Sequence, residues 1–160
     1  MSAPDWAARL GLEPHPEGGW FRRIYTDPRQ VATPRGERAA ASSIHYLLTQ
    51  EQPVGHFHRV RSTILHYLQD GGPVEYRLLE EGAAPRRVTL GRAPGQELFL
   101  AVPGGIWKAS SLIGEAEFAL VSEVVVPGFD YADHEFMRPE QLQALLGDQA
   151  AAWMPWLRAG

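Results

Sequence analysis

The stretch VGHFHRVRSTILHYLQDGGPVEYRLLE, residues 54–80, contains three short runs rich in β-branched, leucine and aromatic residues: VGHFHR (54–59), TILHYLQ (63–69) and VEYRLLE (74–80). Asp70-Gly71-Gly72-Pro73 separates the last two, glycine supplying positive φ in a tight turn and proline presetting its neighbour. Runs of this length with period-two patterning form strands, whereas a helix needs a longer stretch and a 3.6-residue period. The same texture extends outward to WFRRIY (20–25), AASSIHYLLT (40–49), RRVTLG (86–91), ELFLAV (97–102), IWKASSL (106–112) and EFALVSEVVV (117–126). Many short strands broken by Gly and Pro predict an all-β sandwich or barrel. Residues 27–38, with Pro28, Pro34 and Gly36, read as a long loop.

Helices are expected only at the ends. Ser2 or Asp5 can cap a short N-terminal helix, Pro4 suits its first turn and Gly11 can stop it. RPEQLQALLG (138–147) places Leu142, Leu145 and Leu146 on one face and should pack outside the barrel.

A chain of 160 residues is the usual size of one domain, so 1–160 is expected to form a single unit with its barrel core at about 12–138. No apolar run approaches the roughly 18 residues that span a bilayer, which argues against a membrane segment. The N-terminus lacks a basic region followed by an apolar stretch, and there are no cysteines, which excludes disulfides and thiolate ligands and predicts a cytoplasmic protein. The net charge of -4, with basic residues scattered, argues against a nucleic-acid partner. All the basic residues except Lys108 are arginine.

Within the 54–80 stretch, strand alternation predicts that His56 and His58 project together, about 7 Å apart at their Cα atoms, near enough to reach one ligand. His66, on the next strand, offers a third imidazole. Three nitrogens with no thiol suit Zn, Fe, Ni, Cu or Mn. Structural readings stand beside these: an His-x-His pair also serves as hydrogen-bonded surface, and His66 between Leu65 and Tyr67 fits a satisfied core histidine. Phe129-Asp130-Tyr131 reads as a turn closing the barrel, with Asp130 capping, and Asp133-His134-Glu135 as a solvated edge strand.

The segments HPEGGWFRR (15–23), SSIHYLL (42–48), HFHRVRS (56–62), VPGGIWKAS (102–110) and VVPGFDYADHEF (125–136), in this order, resemble the cupin superfamily, and within it the small single-domain group called Cupin 5. The resemblance implies a cupin double-stranded β-helix, a jelly-roll barrel with a short N-terminal helix and C-terminal helices packed outside, commonly a homodimer, with a ligand pocket at one mouth lined by the histidine strand. The chain departs from the metal-binding pattern in two places. No carboxylate follows His58 across Arg61 to Ile64, and Lys108 stands where the second motif has a histidine. An ammonium is not a metal ligand.

His56, His58 and His66 are therefore the candidate catalytic residues and, together, the candidate ligands of one divalent ion (Zn, Fe, Mn or Ni); a metal-free pocket is the alternative. Glu17, Lys108, Trp107 and Tyr46 are candidate substrate-binding residues, Glu17 being the nearest carboxylate to fill the missing position and Lys108 a partner for an anion. Tyr67 and Tyr76 join Tyr46 as candidate acids whose facing the pattern leaves open. The expected function is binding of a small polar, anionic metabolite, with proton-transfer chemistry of the isomerase, epimerase or lyase kind. A non-catalytic, storage-like binder and a metal-dependent oxygenase are the alternatives.

Overall fold

The computed structural model describes residues 1–159. Two antiparallel sheets face each other. One runs in the order β1 (Glu13–Pro14), β2 (Trp20–Thr26), β5 (Ser42–Thr49), β12 (Phe118–Val126), β7 (Thr63–Gly71), β10 (Phe99–Val102). The other runs β13 (Glu135–Phe136), β6 (Val54–Arg59), β11 (Trp107–Leu112), β8 (Val74–Leu79), β9 (Arg86–Leu90). From β5 to β8 and again from β9 to β13 the chain crosses from sheet to sheet at every step, so its strands enclose one interior.

Period-two patterning fills that interior. In β7, Ile64, His66 and Leu68 are buried, while the alternate residues Tyr67 and Gln69 are exposed. Tyr46, Leu48, Leu68, Tyr76, Leu100 and Val121 belong to one core contributed by both sheets. Burying each such side chain is worth about 1.5–3 kcal/mol, which is what holds the sheets face to face.

Helices cover both outer faces. In α1 (Ala3–Leu10) Ser2 and Asp5 form a reciprocal capping box, and Gly11 ends the helix in the left-handed conformation. Trp6 and Leu10 pack on Leu47, Phe118 and Leu120. On the other side, α2 (Pro139–Leu146) and α3 (Ala150–Trp153) bring Leu142 and Trp153 against Phe57, Leu79 and Trp107.

Two local expectations are corrected. Residues 27–38 are not all loop: β3 (Gln30–Thr33) and β4 (Gly36–Ala39) pair as a hairpin. Pro28 precedes the ladder and Pro34 sits in the turn, so neither removes a needed N–H. In β6 the alternation is broken, because Lys108 pairs with His58 and Ser110 with Gly55, leaving one extra residue in β6. Gly55 and His58 therefore share the inner face. Gly55 must be glycine there, since a Cβ would collide with Ser110 Oγ and the Tyr46 hydroxyl.

Candidate metal centre and cavity

The turn between β1 and β2 is the plug on which the site is built. His15 N–H donates to Gly19 O (2.9 Å) and Gly18 N–H to His15 O (3.0 Å), closing a tight loop around Glu17. Gly18 and Gly19 have φ of +100° and +80°, and a Cβ on either would strike the Val54 carbonyl or the Tyr46 ring. The backbone of β6 and Tyr46 then lock the plug. His56 N–H donates to Glu17 O (2.7 Å), His56 Nδ1–H donates to the same oxygen (2.9 Å), and the Tyr46 hydroxyl donates to Gly18 O (2.5 Å).

These bonds drive the Glu17 carboxylate into the barrel, where it is buried. Its Oε2 lies 2.9 Å from His58 Nε2, 3.7 Å from His15 Nδ1 and 3.8 Å from His134 Nε2. Burial works to raise the pKa of Glu17, but His58 and His15 outweigh it, with further lowering from His134, and the carboxyl sits well below its ordinary range. Glu17 is thus an anion.

The hydrogens around it leave a gap. His58 Nδ1–H donates to His56 O (2.8 Å), so Nε2 faces Glu17, bearing a proton when the ring is cationic, the form that lowers the Glu17 pKa, and a lone pair when it is neutral. Two lone pairs 2.9 Å apart need a cation between them, either a second proton on His58 or a metal ion. Among the described residues His134 Nε2 is buried with no hydrogen-bond partner, and its ring stacks on His58 at 5.3 Å. One ligand atom from each of Glu17, His58 and His134 fits within 4.8 Å of the others. A carboxylate oxygen and two imidazole nitrogens, one with its tautomer fixed by a backbone carbonyl, suit a borderline divalent ion.

A second cluster lies deeper. Lys108 Nζ donates to His66 Nε2 (2.7 Å) and to Glu123 Oε1 (3.2 Å), and His66 Nδ1–H donates to Leu100 O (3.1 Å). All three side chains are buried. Burial, then the neighbouring ammonium, pushes His66 down to about 3, so it is neutral. Glu123 stays ionised despite burial because the Lys108 ammonium beside it lowers its pKa.

A cavity of about 560 Å³ joins the two clusters to solvent. Glu17, His58, His15 and Glu123 line it on the polar side, Phe21, Ile44, Val60 and Phe129 among others form apolar walls, and Arg23 and Asp130 also contribute. Asp130 caps the short turn Tyr131–Asp133, which delivers His134.

The residues named from the sequence are thus dispersed. His58 and Glu17 meet at the rim cluster, and Tyr46 spends its hydroxyl on the plug. His56 does not share the position of His58, because the bulge in β6 turns it to the Glu17 carbonyl. His66 and Lys108 satisfy each other in the deep cluster. Trp107, one residue out of phase with Lys108, faces away from the cavity into the layer under the C-terminal helices, with Arg59 4.1 Å over its ring. Tyr76 is buried inside beside His66 (5.0 Å between rings), and Tyr67 is exposed. Asp133-His134-Glu135 is no solvated edge: Asp133 is buried on Arg38 (2.9 and 3.0 Å), and His134 faces Glu17. Sequence reasoning missed Glu123, His15 and His134. The inward parity of Glu123 in β12 and the histidine in the PHPEGG plug were the available signals for the first two.

The comparisons with known proteins agree with this architecture. The chain is 34% identical over 169 residues to the uncharacterized protein YML079W of Saccharomyces cerevisiae, covering 96% of this chain and 82% of the yeast protein. A hypothetical protein from Leishmania major superposes with a TM-score of 0.90 at 32% identity over 99% of this chain and 100% of that one. More distant folds include an oxalate decarboxylase from Bacillus subtilis (TM-score 0.57, 16% identity, 97% of this chain and 36% of that one). They also include a dTDP sugar isomerase from Desulfovibrio desulfuricans (TM-score 0.53, 17% identity, 74% and 83%). The profile of the Cupin superfamily group DUF985, Cupin_5, matches residues 4–137, and the chain belongs to that family.

Proposed function

We propose that this cupin is an enzyme that moves a proton on a small polar metabolite held in the 560 Å³ cavity, with a divalent metal ion at Glu17, His58 and His134. The observation that carries the reading is the convergence of one carboxylate oxygen and two imidazole nitrogens within 4.8 Å of one another. Glu17 Oε2 lies 2.9 Å from His58 Nε2, a pair that a proton on His58 or a metal ion must bridge, and among the described residues the buried His134 Nε2 beside it has no hydrogen-bond partner. A buried polar atom left open in this way points to a ligand.

Bound there, a divalent ion supplies positive charge that stabilises an oxyanion next to a carbon losing its proton. The other groups belong to the chain itself. Glu123 is held ionised by Lys108 and accepts a proton through the oxygen that Lys108 leaves free. His15 takes the Glu17 N–H at Nδ1 (3.1 Å), so in its neutral form it carries its proton on Nε2 and can donate it. Burial lowers the pKa of His15, which favours that neutral form. Arg23 meets an anionic group of the metabolite at the mouth, and the apolar walls exclude water.

A sugar isomerase and an oxalate decarboxylase share this fold, which therefore hosts enzymes of different chemistry. Solvent exchange tests the proton-transfer reading. Metal-loaded protein in D2O, given sugar nucleotides, hydroxy acids and keto acids in turn, is expected to exchange one C–H for C–D by NMR, with the rate falling at least about 100-fold in Glu123→Gln. Binding of such a compound without exchange would assign the cavity to a non-catalytic binder instead.

A further inference from the structure

A second concavity, of about 430 Å³, lies behind the segment that carries His134, and Thr33, Arg35, Arg38, Arg61, Ser62 and Asp133 line it. In a chain of net charge -4, three guanidinium groups line this groove with one carboxylate, Asp133, and Asp130 stands 3.9 Å from Arg38 Nε. Asp133 spends both oxygens on Arg38 (2.9 and 3.0 Å). Arg35 and Arg61 form no ion pair among the described residues and are exposed. The two free guanidiniums therefore face a groove whose one lining carboxylate is already taken up by Arg38.

The backbone under these arginines is fixed. Arg35 N–H donates to Thr33 Oγ1 (3.2 Å), which itself donates to Gly36 O (2.5 Å), and an Arg38 nitrogen donates to Arg35 O (3.3 Å). On the opposite side, Gly105 N–H donates to Val60 O (2.8 Å), and Gly104 packs so closely on the Arg61 carbonyl that a Cβ has no room. Ser62 is buried between them and adds a hydroxyl.

We propose that this groove binds a small multivalent oxyanion of the phosphate type, with Arg35 and Arg61 as its two arms and Arg38 at its back. Guanidinium forks match the paired oxygens of such an anion, and preset backbones lower the cost of ordering them. The site is independent of the metal reading. It shares only the wall running from Pro127 to Asp133, whose Phe129, Asp130 and Tyr131 face the other cavity.

NMR titration of 15N-labelled, metal-free protein with inorganic phosphate, pyrophosphate and glycerol 2-phosphate, each against sodium chloride at equal ionic strength, tests the proposal. Saturable shifts of the amides of residues 33–38 and 61–62, tightest for pyrophosphate and weakened at least about tenfold in the Arg35→Ala/Arg61→Ala double variant, are the expected result. Comparable binding of glycerol 2-phosphate assigns the groove to phosphate borne on a metabolite, and binding of the inorganic ions alone assigns it to the free anion. Shifts that chloride reproduces, or an affinity unchanged in the double variant, would overturn the proposal.

Discussion

Two buried polar clusters share one barrel, and they differ in whether their hydrogens are accounted for. In the deep cluster Lys108 donates to His66 and Glu123 while His66 donates to Leu100 O, so the cation, the anion and the neutral ring satisfy one another. In the rim cluster Glu17 is ionised, His58 donates its Nδ1–H to His56 O, and His134 Nε2 has no hydrogen-bond partner among the described residues. A closed set is a structural element that also fixes the charge of Glu123. An open set is a place for an exchangeable cation. Lys108 Nζ fills, between Glu123 and His66, the kind of place that lies between Glu17 and His58 in the rim cluster.

The largest expected effect separates the two clusters by stability. Lys108→Met leaves Glu123 buried without its cation and should cost about 3–5 kcal/mol in urea denaturation, whereas Glu17→Gln should cost about 1 kcal/mol or less in metal-free protein. Equal losses would remove the distinction.

Acid should reveal the next difference. His66 titrates at about 3 in the fold and near 6.5 when unfolded, so between those values the unfolded chain binds a proton that the folded chain refuses. Its stabilising contribution is complete above about pH 6.5 and is lost as pH falls toward 3, at up to about 1.4 kcal/mol per pH unit. Glu17, with its pKa depressed, adds a loss of the same sign below its ordinary range near 4.5. His66→Gln keeps an acceptor for Lys108 and should flatten the stability profile between pH 6.5 and 4.5, measured by denaturation at several pH values. An unchanged slope would show that other groups dominate.

The smallest effect concerns the plug. His56→Ala removes the Nδ1–H bond to Glu17 O without touching a ligand atom, and should weaken divalent-metal affinity about tenfold by calorimetry while leaving the stoichiometry intact. Complete loss of binding would make His56 a ligand and contradict the bulge geometry.

The strands were readable from the sequence because buried β-sheet imposes period two. The jelly roll followed from the five cupin-like segments, and a profile match over residues 4–137 bears this out. The terminal helices were readable from their caps, as Ser2, Asp5 and Gly11 show. The site was less legible because a single extra residue in β6 inverts the facing of everything beyond it, and period-two counting has no means to place a bulge. Lys108 fell where a ligand was expected, but its partner Glu123 lies on a strand whose pattern, EFALVSEVVV, reads as ordinary core edged with charge. His134 was hidden for another reason: it reaches the site from a short turn held by Asp133 on Arg38, a contact between residues 95 apart in the chain. Glu17 was legible, since a carboxylate was missing from the barrel motif and the glycines after it required a close approach.

Titration of metal-stripped protein with Mn²⁺ or Co²⁺, counting ions bound per chain in the native protein, His134→Ala and His66→Gln, measures the cation affinity of the rim cluster most directly. One ion per chain in the native protein and in His66→Gln, with affinity at least about 100-fold weaker in His134→Ala, is the predicted result. No ion bound by the native protein, or unchanged binding in His134→Ala together with loss in His66→Gln, would contradict it.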